Sequence, residues 1–212
     1  MEFGAPALSI GETIMSHEER RSWDERFRTC DHAGTEPDPF LAVLDEYRSL
    51  LPERGRALDL ACGAGRNAVW LAQTHWSVTC CDISIEGLRK ARGLASERGV
   101  KIDLVCADLE TALPFRTQTL GLFDLILCFF YLERSLFPFL KAALRPGGLI
   151  VYKTYTVDQK RIGDRLMNKA HLLEPQELLH AFQDFRVLYY QELVSDRRVA
   201  QMIAQKKVDG KP

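Results

Sequence analysis

Residues 56–66, with the sequence RALDLACGAGR, decide the fold because they join a short apolar strand to a glycine-rich turn. A helix is predicted to begin near Asn67, directly after this turn. Glycine lets the backbone approach a ligand closely, and the first turn of a helix has unpaired N–H groups. Such turns usually bind phosphate, yet Asp59 stands just before the glycines, where it would repel a pyrophosphate. The acid instead suits a ligand that carries a positively charged amino group.

Length and composition narrow the class of protein. The chain has 212 residues, of which 46% are hydrophobic, and this is enough for one globular domain with a single core. A formal net charge of −1 gives no indication of a nucleic-acid or membrane partner. The longest apolar run, residues 125–132, is far shorter than the ~20 residues that a transmembrane helix needs. We also expect no signal peptide, because the N-terminus carries acids and glycines.

The spacing of the cysteines indicates in which cellular compartment the protein works. The six cysteines show no CxxC and no zinc-like spacing. Several lie in predicted strands, where cysteine usually acts as a small hydrophobic residue. Unpaired cysteines are typical of a reducing environment, so the sequence predicts a cytoplasmic protein.

The N-terminal part is predicted to be helical after an irregular start. Residues 1–15 show no periodicity and are predicted to form a flexible leader. A charged helix is expected from near Ser16, with Trp23 and Phe27 on one face because residues four apart are neighbours on a helix. After a loop, residues 40–51 form a predicted amphipathic helix.

Strands and helices alternate through the rest of the chain. The predicted strands are residues 57–60, 78–81, 102–106, 123–128, 149–153, 185–192 and 199–206. The predicted helices between them are residues 67–73, 85–98, 135–144 and 176–182. Short apolar strands predict a parallel sheet buried on both faces. The last two strands are close enough in sequence to form an antiparallel hairpin.

Five strand–helix units followed by a hairpin resemble the core of the class I S-adenosylmethionine-dependent methyltransferases. Residues 58–65 are similar to that family's cofactor loop, and Asp82 is similar to its ribose-binding acid. Residues 107–109, 123–127 and 144–148 resemble the adenine-contacting segment, the fourth strand and the turn before the fifth strand.

Within this class, the chain is most similar to the tellurite-resistance type and related small-molecule methyltransferases, through residues 65–67, 131–134 and 171–178. The resemblance implies an α/β, Rossmann-like fold. Its sheet would have seven mostly parallel strands, an antiparallel C-terminal hairpin and helices on both faces. The expected single domain is residues 16–206, of which residues 16–55 would cover the cofactor site, with residues 207–212 as a loose tail.

The resemblance also implies the cofactor, S-adenosyl-L-methionine, which leaves as S-adenosyl-L-homocysteine. Asp59 would lie beneath the methionyl ammonium group, and Asp82 would accept hydrogen bonds from the ribose hydroxyls. The predicted cofactor-binding residues are Trp23, Arg26, Asp59, Ala61, Gly63, Gly65, Arg66, Asp82, Ile83, Ala107, Asp108, Leu109, Cys128 and Phe129. No metal is predicted.

Tyr131, Arg134 and His171 are the candidate catalytic residues, and Tyr155 is a further candidate for contacting the acceptor. Methyl transfer from a sulfonium needs no covalent enzyme intermediate, so in-line positioning and exclusion of water can supply most of the acceleration. A general base is needed only for an acceptor that is protonated at neutral pH, and histidine has a suitable pKa.

The predicted reaction is methyl transfer by direct displacement to a small-molecule acceptor of the metalloid oxyanion, thiol or amine class. One hypothesis is that Cys62, Cys106 and Cys128 bind a soft metalloid. We expect a monomer or homodimer without nucleic-acid or membrane partners, and basic residues near the last hairpin, including Arg197, are predicted to form a solvated face.

Two alternatives stay open on the sequence alone. Residues 63–68 also match the G-x-G-x-x-A dinucleotide fingerprint, which would indicate an NAD(P)-dependent oxidoreductase. The other alternative is a non-catalytic protein that binds S-adenosylmethionine on the same fold.

Overall fold

A computed structural model describes residues 10–29, 34–110, 121–162, 165–194 and 197–208 of the protein. The strands are β1 (Arg56–Leu60), β2 (Ser77–Asp82), β3 (Asp103–Cys106), β4 (Phe123–Phe129), β5 (Leu144–Tyr155), β6 (Arg161–Ile162), β7 (Arg165–Leu166), β8 (Arg186–Leu193) and β9 (Val199–Gln205). The α-helices are α1 (Ile10–Thr29), α2 (Leu41–Leu44), α3 (Arg66–Gln73), α4 (Ile85–Glu97), α5 (Phe137–Ala143) and α6 (Glu177–Ala181).

The main sheet has seven strands in the order β3-β2-β1-β4-β5-β9-β8. Strands β1 to β5 run parallel, whereas β9 pairs antiparallel with both β5 and β8. The predicted seven-stranded, mostly parallel sheet with a C-terminal hairpin is therefore confirmed. The strand order reverses at β1, between β2 and β4, and ligands of open α/β sheets bind at the carboxyl ends of strands at such a point.

Apolar side chains cover both faces of the sheet, because successive residues of a strand point to opposite faces. Leu58 and Tyr152 belong to one buried cluster, and Ala57 and Leu125 belong to the cluster on the other face. Strand β4 is buried at every position, as expected for a central parallel strand. The central strands therefore form a rigid support for the loops at their carboxyl ends.

Two N-terminal elements differ from their predicted bounds. Helix α1 begins at Ile10 rather than near Ser16, so residues 10–15 are helical although the sequence placed them in the leader. A single glycine such as Gly11 costs about 1 kcal/mol in a helix, which is too little to stop one. The predicted helix at residues 40–51 is instead the short α2 followed by a 3₁₀ turn. Residues 1–9 and 209–212 lie outside the described residues.

None of the helices in the described ranges is long and apolar enough to cross a bilayer.

Candidate functional site

A cavity of about 540 Å³ lies at the carboxyl ends of the central strands. Eleven of the predicted cofactor-binding residues line it: Trp23, Asp59, Ala61, Gly63, Arg66, Asp82, Ile83, Ala107, Asp108, Leu109 and Phe129. Ten further residues complete the lining: Glu19, Phe27, Cys62, Ala64, Asn67, Glu110, Phe130, Tyr131, Tyr155 and Arg197. The structure thus brings most of the predicted residues to one cavity.

The glycine-rich turn adopts backbone conformations that side chains disfavour. Gly63 and Gly65 have φ angles of +54° and +75°. A Cβ on Gly65 would lie 2.7 Å from the Cβ of Ala91 on helix α4, and a Cβ on Gly63 would lie 3.1 Å from the Phe27 ring. The turn therefore needs glycine to pack between α1 and α4. Gly65 supports the turn from behind and does not line the cavity.

Asp59 is a buried acid at the floor of the cavity. The residue is 1% exposed, and its Oδ2 atom has no hydrogen-bond partner among the described residues. Burial, together with the charge of Asp82, raises the pKa of Asp59 to about 7, although the Ala68 N–H and the charge of Arg66 act in the opposite direction. An unpartnered buried carboxylate oxygen is costly, and a ligand cation placed against it would remove that cost.

Asp82 ends strand β2 with both carboxylate oxygens facing backbone donors. Its Oδ2 accepts from the Gly63 N–H at 2.7 Å, and its Oδ1 accepts from the Ser84 N–H at 2.8 Å. Burial raises the pKa of this carboxyl, while these backbone N–H groups lower it. Ser84, not Asp82, caps α4, because its Oγ accepts from the Gly87 N–H. Each oxygen of Asp82 keeps a lone pair for a ligand hydroxyl.

Helix α1 covers the glycine turn. Asp24 Oδ1 accepts from the Ser84 hydroxyl at 2.6 Å and from the Glu86 N–H at 3.1 Å, which joins α1 to the start of α4. Trp23 lines the cavity, but Arg26 does not, because its guanidinium stacks 4.5 Å from the centre of the Trp23 ring. Residues three apart on a helix are neighbours, and this cation–π contact holds Arg26 on the helix surface.

Aromatic residues form the other end of the cavity. Phe130 follows β4 with a φ of +57°, and its N–H donates to the Lys153 carbonyl at 2.7 Å. Its ring centre lies 5.2 Å from that of Tyr155 and 6.5 Å from that of Phe129. Arg197 joins this wall from the segment before β9 and is exposed, as the prediction of a solvated face requires.

The candidate catalytic residues lie in different surroundings. Tyr131 lines the cavity, and its buried hydroxyl has no partner among the residues of known position. Burial raises the pKa of Tyr131 well above its ordinary value, so the phenol stays protonated. His171 ends a 3₁₀ turn and does not line the cavity.

Arg134 also differs from its predicted role. Its Nε lies 2.6 Å from Glu177 Oε1, and its other nitrogens donate to the Ala170 and Leu172 carbonyls. These three partners use the planar donor fork of the guanidinium, which joins the segment after β4 to helix α6. Arg134 therefore has a structural role, and it does not line the cavity.

The hypothesis of a three-cysteine metalloid site is wrong. Cys62 lines the cavity, but the Sγ of Cys128 is turned to the buried core and lies 3.7 Å from the Tyr131 carbonyl. Cys106 is exposed, with its Sγ 3.6 Å from the Ile83 carbonyl. Burial raises the pKa of Cys128 to about 12, so its thiol is protonated. Within the described ranges, no three metal-ligating residues are grouped to hold an ion.

Comparison with known sequences shows what kind of domain this is. A family model described as a methyltransferase domain matches residues 57–148, the segment from β1 to the beginning of β5. A ubiquinone biosynthesis O-methyltransferase from Idiomarina loihiensis is 35% identical over 104 residues, which is 47% of this chain and 42% of that one. A tRNA 5-carboxymethoxyuridine methyltransferase from Escherichia coli is 31% identical over 112 residues, 49% of this chain and 41% of that one. The alignments span less than half the length of these relatives.

Comparison with solved structures supports the same fold. TehB from Haemophilus influenzae superposes with a TM-score of 0.63 at 17% identity, covering 89% of this chain and 67% of that one. Several solved structures of S-adenosylmethionine-dependent methyltransferases share the fold as well. The fold and the cavity define a Rossmann-like α/β domain with a cavity at the carboxyl ends of its central strands. Residues 57–148 match a methyltransferase domain, and the chain shares its fold with solved S-adenosylmethionine-dependent methyltransferases.

Proposed function

We propose that the protein binds S-adenosyl-L-methionine in this cavity and methylates a small-molecule acceptor of the metalloid oxyanion, thiol or amine class. The observation that carries the proposal is the unpartnered Oδ2 of buried Asp59 beside the ligand-facing carboxylate of Asp82. The first oxygen fits the methionyl ammonium, and the second carboxylate fits two vicinal ribose hydroxyls. Residues 107–109 would contact the adenine.

The chemistry supplied by the cofactor is an electrophilic methyl group on a sulfonium. In the transfer, the methyl–sulfur bond breaks as the bond from the acceptor's nucleophile forms, and the sulfur keeps the electron pair. The protein's own contribution is to orient the acceptor and exclude water. Phe129 and Phe130 supply an apolar wall for this purpose. Because the Tyr131 phenol stays protonated, it can donate a hydrogen bond but cannot serve as a general base at neutral pH.

Because neither Tyr131 nor His171 is available as a base, the favoured acceptor presents a nucleophile that is already unprotonated, such as a thiolate or a free amine. His171 does not belong to the described lining of the cavity. A small acceptor also agrees with the near-zero net charge, although one relative acts on tRNA. A cytoplasmic location stays a prediction, supported by the free thiols of Cys62, Cys80, Cys81, Cys106 and Cys128.

The test of this function begins with the cofactor. S-adenosylhomocysteine is expected to bind the protein in calorimetric titration and to raise its melting temperature, whereas NAD(H) at the same concentrations is not. Labelled S-adenosylmethionine should then transfer its methyl group to members of a thiol, amine and oxyanion panel. Stabilisation by NAD(H) alone would favour the oxidoreductase. Asp59 does not rule out this result, because its carboxyl repels a pyrophosphate only when the carboxyl is ionised. Tight cofactor binding without transfer to any acceptor would indicate a non-catalytic binding protein.

Binding of S-adenosylhomocysteine is expected to weaken as the pH falls below 7. The pKa of Asp59 is raised to about 7 in the free protein, mainly by burial. The ammonium group needs the ionised carboxylate, so at lower pH binding must first displace a proton. The dissociation constant should therefore rise about tenfold for each pH unit below 7. Titration calorimetry from pH 5 to pH 8, in buffers of different ionisation enthalpy, measures both the affinity and the released proton.

The matched control for this pH dependence is Asp59→Asn, which keeps the shape of the side chain and cannot ionise. Its affinity for S-adenosylhomocysteine should be lower at pH 8 and nearly constant between pH 5 and pH 7. An equally steep pH dependence in the variant would show that another group binds the ammonium.

A further inference from the structure

We propose that the aromatic end of the cavity binds an aromatic carboxylate as the methyl acceptor, with Arg197 as the residue that contacts the carboxylate. The acceptor would carry its thiol or amine nucleophile on the same planar body. This inference rests on the proposed methyl transfer and names the class of molecule that receives the methyl group.

The first support is the shape and polarity of this end. Phe130 and Tyr155 pack against each other with their ring centres 5.2 Å apart, and Phe129 continues the apolar surface. Because these two rings already contact each other, a ligand cannot insert between them and would pack against the surface that they form, here called the wall. A planar aromatic body can stack against such a wall, whereas a small inorganic oxyanion would leave it in contact with water.

The second support is the uneven distribution of charge along the cavity. In the described lining, the acidic residues are Glu19, Asp59, Asp82, Asp108 and Glu110, on α1 and at the ends of β1 to β3. The lining residues after β4, at the end of β5 and before β9 are aromatic, apart from Arg197. The acidic part of the lining complements the net positive charge of S-adenosylmethionine. The aromatic part, with Arg197, complements a ligand of negative charge.

The third support is the positive charge behind the aromatic wall. Lys153 Nζ lies 5.6 Å from the centre of the Phe130 ring and 2.7 Å from Asp38 Oδ1. Arg66 shares the same carboxylate, at 3.3 Å from Asp38 Oδ2. Among the described residues, Lys153 and Arg66 share the carboxylate of Asp38, and Arg197 adds a third positive charge on this side of the cavity.

Arg197 is placed to act on a ligand at the wall. Its side chain lines the cavity from an exposed position. It is close enough to Tyr155 for its charge to act on the hydroxyl: burial raises the pKa of Tyr155, and the charges of Arg197 and Arg66 oppose that rise. A guanidinium binds a carboxylate through two parallel hydrogen bonds, which also fixes the orientation of the bound molecule.

Matched pairs of probes test the proposal. 4-Mercaptobenzoate and 4-aminobenzoate would be compared with their neutral amides, 4-mercaptobenzamide and 4-aminobenzamide, in titrations against the protein saturated with S-adenosylhomocysteine. At least one carboxylate should bind about tenfold more tightly than its amide. In Arg197→Gln this preference should fall to less than about threefold, and Arg197→Lys should keep an intermediate part of it.

Arg186→Gln, an exposed arginine on β8 outside the cavity, is the control and should keep the full preference. S-adenosylhomocysteine binding should be the same in all these proteins, so a failure of the proposed function shows separately as loss of cofactor binding. The proposal is overturned if no carboxylate is preferred over its amide, if the preference survives in Arg197→Gln, or if selenite binds while none of the aromatic probes does.

Discussion

Replacing Asp82 with alanine is expected to weaken the binding of S-adenosylhomocysteine at least about a hundredfold. The carboxylate is 7% exposed and faces the cavity at the end of β2. Two charge-assisted hydrogen bonds to ribose hydroxyls, at roughly 1.5–3 kcal/mol each, correspond to this loss or more. The substitution also releases the Gly63 N–H, which donates to Asp82 Oδ2 at 2.7 Å, so the glycine turn loses its anchor.

Calorimetric titration with S-adenosylhomocysteine measures this loss of affinity, and two further variants serve as controls. Asp82→Asn keeps an acceptor oxygen for the turn and should lose less affinity than Asp82→Ala. Asp103→Asn, an exposed acid at the opposite end of β3, should bind as the unchanged protein does. Near-normal affinity in Asp82→Ala would place the ribose elsewhere, provided that circular dichroism shows a folded protein.

The central part of the fold was predictable because its signals are local. Each of the strands β1 to β4 is a short apolar run ended by a turn, and burial on both faces requires such a run. The first and last residues of the strands were less predictable. Strand β5 begins at Leu144, before the residues 149–153 predicted from their apolar side chains, because Leu144 pairs with Phe123 across a register shift that no apolar run signals.

The cofactor half of the site was predictable for a related reason. Asp59 and Asp82 directly follow apolar residues in parallel strands, and parallel strands bring their carboxyl ends to one edge. Cys128 was wrongly placed, although it lies at the same edge, because side chains of a strand alternate between faces. A period of two from the cavity-lining Phe129 would have placed Cys128 on the opposite face of β4.

The acceptor half depends on contacts between residues far apart in sequence. Phe130 reaches the wall through a positive φ that no local pattern signals. Arg197 is brought there by the hairpin, and Arg134 is drawn away by Glu177, more than forty positions along the chain. Charged side chains of this kind have no periodicity, so their partners follow only from the tertiary structure.

Asp38 connects the site to the stability of the whole domain. Its side chain is 2% exposed, and its two oxygens contact Lys153 and Arg66. Oδ1 also accepts from the Phe40 N–H at 3.0 Å, and the Asp38 N–H donates to Asn67 at 2.9 Å. Lys153 is only 12% exposed, and its Nζ lies 2.7 Å from Asp38 Oδ1. One buried acid thus holds the segment before α2 against β5 and α3.

Replacing Asp38 with alanine is therefore expected to lower the free energy of unfolding by about 3–5 kcal/mol, because it leaves a buried ammonium without a counter-charge. Urea denaturation measures the change. The double variant Asp38→Ala/Lys153→Met should recover at least about 1 kcal/mol relative to the sum of the single variants, since it removes the stranded charge as well. Asp184→Ala breaks the exposed pair with Lys141 and should cost less than about 1 kcal/mol. Equal costs for Asp38→Ala and Asp184→Ala would show that water, not Asp38, stabilises the Lys153 ammonium.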